Sequence, residues 1–326
     1  MNANSSSLVS GQLAFSNKLG ASARPFVKWV GGKTQLIRQL DANFPKELKT
    51  GDIRLYIEPF VGGGSIFFHV AQNYSIEKFV LADNNADLIV AYRTIRERVG
   101  SLITTLHDLQ TRYLRLNEKR REEFYYKMRS QFNRDKAKLD VRNYSDGWIE
   151  RTALLIFLNK TCFNGLFRVN SGGLFNVAFG RYDNPKICDS DNLVLVAHLL
   201  KRAEILLGDF ESVLDFVQPD SFVYLDPPYR PLTGTANFTA YSPTTFTALD
   251  QQRLAALCNR IHSHGAKLLM SNSDPTNIDS GDSFFEQTYP GFRIVKAAAN
   301  RMVNCRADRR GKISELLLMN YSDGQS

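Results

Sequence analysis

Apolar positions along this chain come in two kinds that alternate: short unbroken runs, and longer stretches in which they recur at three and four. Residues 54–58 predict a short strand ending in Pro59-Phe60-Val-Gly-Gly-Gly64, and residues 65–73 predict the helix that follows. Lys78-Phe-Val-Leu-Ala-Asp83 is a second strand, ending in an acid. From Ala86 to about Phe132, positions such as Leu88, Ile89, Tyr92, Ile95, Leu102, Leu106 and Leu109 keep helical spacing, and another helix is expected over 149–158. Residues 163–182 differ, because Asn164-Gly165 and Asn170-Ser-Gly-Gly173 separate aromatic and apolar runs as in hairpins or ordered loops. Strand patterns return at 204–209, 222–226 and 266–271, with a helix containing Gln251 to His262 before the last. Residues 292–297 and 313–320 predict a closing strand pair joined by the basic loop 306–312. The sum is an α/β chain, a parallel sheet interrupted by a mainly helical insertion. The expected parts are a flexible tail over 1–23, sheet residues over 24–85, the insertion over 86–186, and the rest of the sheet over 187–326.

Charge gives the insertion a character of its own. The chain carries a net +8, and residues 86–186 hold 19 Lys and Arg against 11 Asp and Glu, so that segment contains the whole excess. Phosphate binding through Lys119-Arg120-Arg121 and through Arg134, Lys136, Lys138 and Arg142 competes with a solvated helical surface. No apolar run nears the ~20 residues that cross a bilayer, and residues 1–23, rich in Ser, Asn and Ala, lack the pattern of a signal peptide. Cys162, Cys188, Cys258 and Cys305 lie far apart, with no Cys-x-x-Cys and no His at ligand spacing. A reduced, cytoplasmic compartment and no metal are expected.

The candidate chemistry gathers at strand ends. Phe222-Val-Tyr-Leu-Asp-Pro-Pro-Tyr229 closes a buried strand with a carboxylate, two rigid prolines and an aromatic. Asp226 can accept hydrogen bonds from an exocyclic amine, Pro227 adds a carbonyl acceptor and brings no N–H, Pro228 stiffens the turn, and Tyr229 offers a face for a base. Gly62 and Gly64 open a helix at the end of the first strand, where backbone N–H groups are free, and Asp83 follows Gly64 by 19 residues, the place of an acid on ribose hydroxyls. A nucleoside-containing cofactor is favoured. The dinucleotide pattern needs Gly at 67, which is Phe67, and a phosphate-binding loop ending in Gly32-Lys33-Thr34 needs Gly at 27, which is Val27. NAD and ATP therefore lose ground, and Trp29 and Lys33 are left to cover an apolar cofactor face and to pair with a carboxylate.

Phe26-Val-Lys-Trp-Val-Gly-Gly-Lys33, Glu58-Pro-Phe-Val-Gly-Gly-Gly64, Phe163-Asn-Gly-Leu-Phe-Arg168, Phe175-Asn-Val-Ala-Phe-Gly180, Asp226-Pro-Pro-Tyr229 and Thr235-Ala-Asn-Phe-Thr-Ala-Tyr241 stand in one order. In those motifs the chain resembles the Dam-type DNA adenine-N6 methyltransferases, from about Arg24 to Tyr321. The resemblance implies a Rossmann-like sheet with an inserted target-recognition domain and S-adenosylmethionine as cofactor. It implies cofactor contacts from Trp29, Lys33, Phe60, Gly62, Gly64, Asp83, Asp209, Phe210 and Asp226, and a hold on the target amine from Asp226, Pro227, Pro228 and Tyr229. On DNA it implies roles for Lys28, Arg120, Phe163, Asn164, Leu166, Arg168 and Ala178: Phe163 entering the space left by a flipped base, Arg168 and Lys28 at guanines, Leu166 at a thymine methyl. Duplex DNA is the implied partner and GATC the implied site, although members that read GATC carry Pro where this chain has Ala178. A monomeric bacterial or phage enzyme, solitary or in a restriction-modification pair, is the implied setting. Two other readings compete: methylation of an RNA base or a protein glutamine amide, and an inactive DNA-binding relative.

Overall fold

Two short helices, α1 (Ile37–Ala42) and α2 (Lys46–Thr50), lead into β1 (Leu55–Glu58), α3 (Ser65–Asn73) and β2 (Lys78–Asp83) in the computed structural model, which describes residues 22–229, 246–299 and 313–322. The long helix α4 (Ala86–Leu114), then α5 (Glu118–Arg134) and α6 (Gly147–Thr161), form the insertion with the loops that follow. Next come α7 (Ser190–Leu200), β3 (Ala203–Leu207), β4 (Ser221–Leu225), α8 (Ala248–Ser263), β5 (Lys267–Ser273), α9 (Phe284–Thr288), β6 (Arg293–Ala299) and β7 (Ile313–Met319). The Thr235 to Tyr241 run, the 306–312 loop, Cys305 and nearly all of the 1–23 tail lie outside the described residues.

The seven strands lie in the order β3-β2-β1-β4-β5-β7-β6, the first five parallel and the last two antiparallel. Side chains of β1, β2 and β4 are covered on both faces, which is why these strands read as continuous apolar runs. From β1 the chain moves to one side for β2 and β3, then returns to the other side of β1 for β4. This reversal opens a crevice at the carboxyl ends of β1 and β4, the general ligand position in such sheets. Because β7 runs the other way, its first residues arrive at that same end, and Glu315 stands opposite Ser273 of β5.

One apolar cluster joins Tyr56, Phe79, Tyr224 and Leu269 of the sheet to Tyr113, Tyr125, Phe157 and Phe167 of the insertion, and a second packs α8 on the opposite face. The boundary at residue 86 falls on the N-cap of α4, where the Asn85 side chain accepts from Leu88 N–H. In space, however, α4 packs on β2 and β3 as well as on α6 and α7, with non-helical backbone at Arg98. Inside the insertion, Arg151 Nε lies 2.7 Å from Asp87 Oδ1, and its guanidinium covers the Phe132 ring at 3.5 Å. That pair locks α6 to the start of α4. Helix α7 was not expected from the pattern: its apolar positions run on with little polar interruption, because it is buried from several sides.

Candidate active site

Strand β4 is wholly buried and ends at Leu225, so Asp226 is the first side chain beyond the sheet. Its Oδ1 lies 2.9 Å from Lys33 Nζ and accepts from Ser271 Oγ at 3.1 Å, and Ser271 is within 2.9 Å of the Tyr224 hydroxyl. Asp226 Oδ2 accepts no hydrogen bond among the described residues. Burial pushes the Asp226 carboxyl above its ordinary range, and Lys33 and Ser271 pull it back. Lys33 is itself only 5% exposed. It donates to the Tyr229 hydroxyl at 2.5 Å, and that hydroxyl donates to Glu315 Oε2 at 2.6 Å. Pro227 is buried, while Pro228 is exposed beside it.

At the end of β1 the turn is shaped by its own neighbours. Gly64, the N-cap of α3, has φ +74°, and a Cβ there would lie 2.6 Å from the Tyr92 hydroxyl. Gly62 has φ +48°, and a Cβ there would lie 3.0 Å from Trp29 Cδ1. Both glycines are thus required by packing inside the protein, in addition to any approach by a ligand. Asp83, at the end of β2, accepts from Gly62 N–H at 3.0 Å and from Asn85 N–H at 2.8 Å. Burial outweighs these bonds and raises its carboxyl to about 6. Trp29 stacks on Phe167 of the insertion at 4.8 Å, joining the cofactor candidates to the insertion. Phe60 stacks on Phe210 at 5.5 Å, with Phe246 closing the cluster. Asp209 is exposed, 2.9 Å from Arg253, so its charge already has a partner.

In the insertion, Phe163 to Ala178 form one surface. Phe163 N–H bonds the Ala178 carbonyl at 2.9 Å, and its ring is 56% exposed. Asn164 takes φ 58°, one of two described non-glycine residues with positive φ. Asn159 bonds both backbone groups of Lys28 and the Gly165 carbonyl, which seats Lys28 against this loop. Leu166 is half-buried, and Arg168 is exposed with Nε 2.9 Å from Asn176 Oδ1. Arg120 lies on the exposed first turn of α5. Arg121, grouped with it by sequence, turns inward and donates to the carbonyls of Asp183 and Leu114. Lys136 likewise donates to the Gly173 carbonyl at 2.5 Å. These bonds tie parts of the insertion together.

The arrangement brings a lysine-paired carboxylate, a glycine turn beside a second acid, and an exposed loop surface to one end of a parallel sheet. The family described as D12 class N6 adenine-specific DNA methyltransferase matches residues 29–303. The chain belongs to this family. Among relatives, this methyltransferase is 49% identical over 299 residues to the type II methyltransferase M.MjaIII of Methanocaldococcus jannaschii, covering 91% of this chain and 99% of that one. It is 36% identical to the type II methyltransferase M1.LlaDCHI of Lactococcus lactis, over 92% of this chain and 96% of that one. To the DNA adenine methylase of Vibrio cholerae it is 33% identical, over 91% and 95%.

Three polar residues of the methyltransferase's crevice were not singled out by sequence reading. Glu58 is buried at the end of β1, takes a 2.8 Å bond from Tyr56, and is held well above the carboxylate range by burial. Ser271 reaches the site through the pairing of β5 with β4, and Glu315 through the pairing of β7 with β5. For Glu58, an acid in a strand otherwise free of charge was a usable signal. For the other two, no local pattern existed. No helix is long and apolar enough to cross a membrane, and no cluster of three potential metal ligands occurs, both among the described residues.

Proposed function

We propose that this methyltransferase takes its methyl group from S-adenosylmethionine and places it on N6 of an adenine rotated out of duplex DNA, within GATC. The observation that carries this reading is Asp226, whose Oδ1 is held by Lys33 and Ser271 while Oδ2 accepts no hydrogen bond among the described residues. A carboxylate fixed on one oxygen and open on the other suits an –NH2 donor, with the Pro227 carbonyl as second acceptor. The crevice residues fit the cofactor: Asp83 is a half-buried acceptor for ribose hydroxyls, and Phe60 with Phe210 and Phe246 supplies aromatic surface for an adenine. Lys33 and Trp29 would hold its methionine end. When bound, S-adenosylmethionine supplies an electrophilic methyl group on a sulfonium.

The lone pair of an adenine amine is delocalised into its ring and makes a weak nucleophile. Two acceptors on its hydrogens favour a more tetrahedral nitrogen, and Tyr229 would stack on the base and aim it. Held by Asp226 and the Pro227 carbonyl, the amine nitrogen would take the donor's methyl group directly, with no covalent enzyme intermediate. The methylated nitrogen sheds its proton readily, so no strong base is needed beforehand.

N6 is engaged in a base pair, so the nucleotide has to leave the stack. Phe163, an exposed ring at a tight turn, suits the vacated space. Arg168 and Lys28 would read guanines, Leu166 a thymine methyl, and Arg120 a phosphate, with Asn164 and Ala178 shaping the loop. We take the enzyme to work as a cytoplasmic monomer. The test is a pair of duplexes identical except for GATC against a permuted tetramer, incubated with labelled cofactor. Label is expected in the GATC duplex, with protection from methyl-sensitive cleavage there; equal label in both would refute the site, and label in RNA or protein alone would refute the substrate.

A further inference from the structure

Tyr229 lies beyond β4 in residues without regular structure, where a phenol ring can pivot about two torsions unless something holds its tip. Its hydroxyl accepts from Lys33 Nζ at 2.5 Å and donates to Glu315 Oε2 at 2.6 Å. Glu315 is well placed to act as an anchor. It is the third residue of β7, paired with Ser273 on one side and Ala297 on the other, so its backbone is tied to two strands. Its carboxylate is 16% exposed and lies 3.7 Å from Lys33 Nζ, while Asp226 lies 2.9 Å from the same ammonium. One cation therefore faces two carboxylates.

We propose that Glu315 is a positioning residue for methyl transfer: it fixes the Tyr229 ring through its hydroxyl, and its charge leaves the Lys33 cluster with a net negative charge beside the attacking nitrogen. The proposal rests on the function given above, in which Tyr229 stacks on the target base. During transfer, positive charge passes from the donor sulfur to that nitrogen. A preformed negative cluster stabilises charge arriving there without having to reorganise. The two effects separate by substitution. Glu315→Gln keeps an acceptor for the tyrosine hydroxyl and removes the charge, whereas Glu315→Ala removes both.

Single-turnover methyl transfer to duplex DNA, with labelled S-adenosylmethionine, would be compared for wild type, Glu315→Gln, Glu315→Ala, Tyr229→Phe and the double variant Tyr229→Phe with Glu315→Ala. Glu315→Ala and Tyr229→Phe are each expected to slow transfer by roughly 10- to 100-fold, a typical effect of misplacing a reacting group. Glu315→Gln should lie between Glu315→Ala and wild type, with DNA affinity in all variants close to that of wild type. The double variant should be no slower than the slower single one, since both disturb one hydrogen bond. Wild-type rates in Glu315→Ala, or losses that multiply in the double variant, would overturn the proposal. Should Glu315→Ala fail to fold, Glu315→Gln at the wild-type rate would overturn the charge effect, and Tyr229→Phe at that rate would overturn the anchoring. A wild-type enzyme that leaves duplex DNA unlabelled would instead refute the function on which the proposal stands.

Discussion

Buried charges are treated in opposite ways at the two ends of this molecule. At the carboxyl end of the sheet, Glu58, Asp83 and Asp226 are all pushed above the ordinary carboxylate range by burial, although each has some hydrogen bonding. In the insertion, Arg93, Arg121, Arg129 and Arg151 donate to backbone carbonyls of Ile205, Asp183, Val177 and Phe132 respectively. These bonds hold helices and loops together, although Arg121 Nε and Arg151 Nη2 are buried with no hydrogen-bond partner among the described residues. The carboxylates at the sheet end remain in a costly state, which is how a protein keeps groups ready for a ligand. Excess positive charge in the sequence is therefore a poor measure of DNA contact until the inward-facing arginines are subtracted.

Removing a buried cation that pairs with a buried acid should cost the fold most. Arg151→Ala leaves Asp87 buried without its partner and is expected to lower stability by about 3–5 kcal/mol, measured by denaturant unfolding. A loss of only a few tenths would end the contrast between the regions. Asp83→Asn should act in the opposite sense on stability. Because the folded Asp83 carboxyl is raised from 3.8 to about 6, the native state favours the protonated form; its contribution is complete below about 4 and is lost as pH rises through about 6. The variant should therefore be more stable than wild type at pH 8, by about 1–2 kcal/mol after losing one backbone hydrogen bond. The difference should shrink towards pH 4, and cofactor binding should weaken throughout. A pH-independent difference in thermal unfolding would show that Asp83 is not held in a costly state. The smallest effects separate two adjacent arginines. Arg121→Ala should lower stability by about 1–2 kcal/mol with an unchanged salt dependence of DNA binding. Arg120→Ala should leave stability alone and reduce the salt slope by about 1. The reverse assignment would put Arg121 on the DNA.

Much of the fold was legible because β1, β2 and β4 are buried on both faces and end at or just before Pro or Asp. Residues 65–73 and 78–83 were bounded to the residue as α3 and β2. Helix α7 escaped because burial on several sides removes the polar stripe by which helices are recognised. At the site, Lys33, Asp83 and Asp226 stood out because each sits in a motif at a turn or strand end. Glu315 and Ser271 did not. Glu315 meets Tyr229 across 86 residues, through the register of an antiparallel strand, and sequence spacing carries no trace of that register. The direction of Arg121 was illegible for a related reason, since composition counts a charge without its direction.

The central claim is that Asp226 holds an adenine amine for methylation. Labelled S-adenosylmethionine, duplex DNA and either wild-type enzyme or Asp226→Ala would be incubated together, and the DNA digested to nucleosides. The account predicts label on N6-methyladenine with wild type and a loss of about 10²- to 10³-fold or more with the variant, while both proteins bind the duplex with similar affinity. Label on another base, or comparable N6-methyladenine from Asp226→Ala, would contradict it.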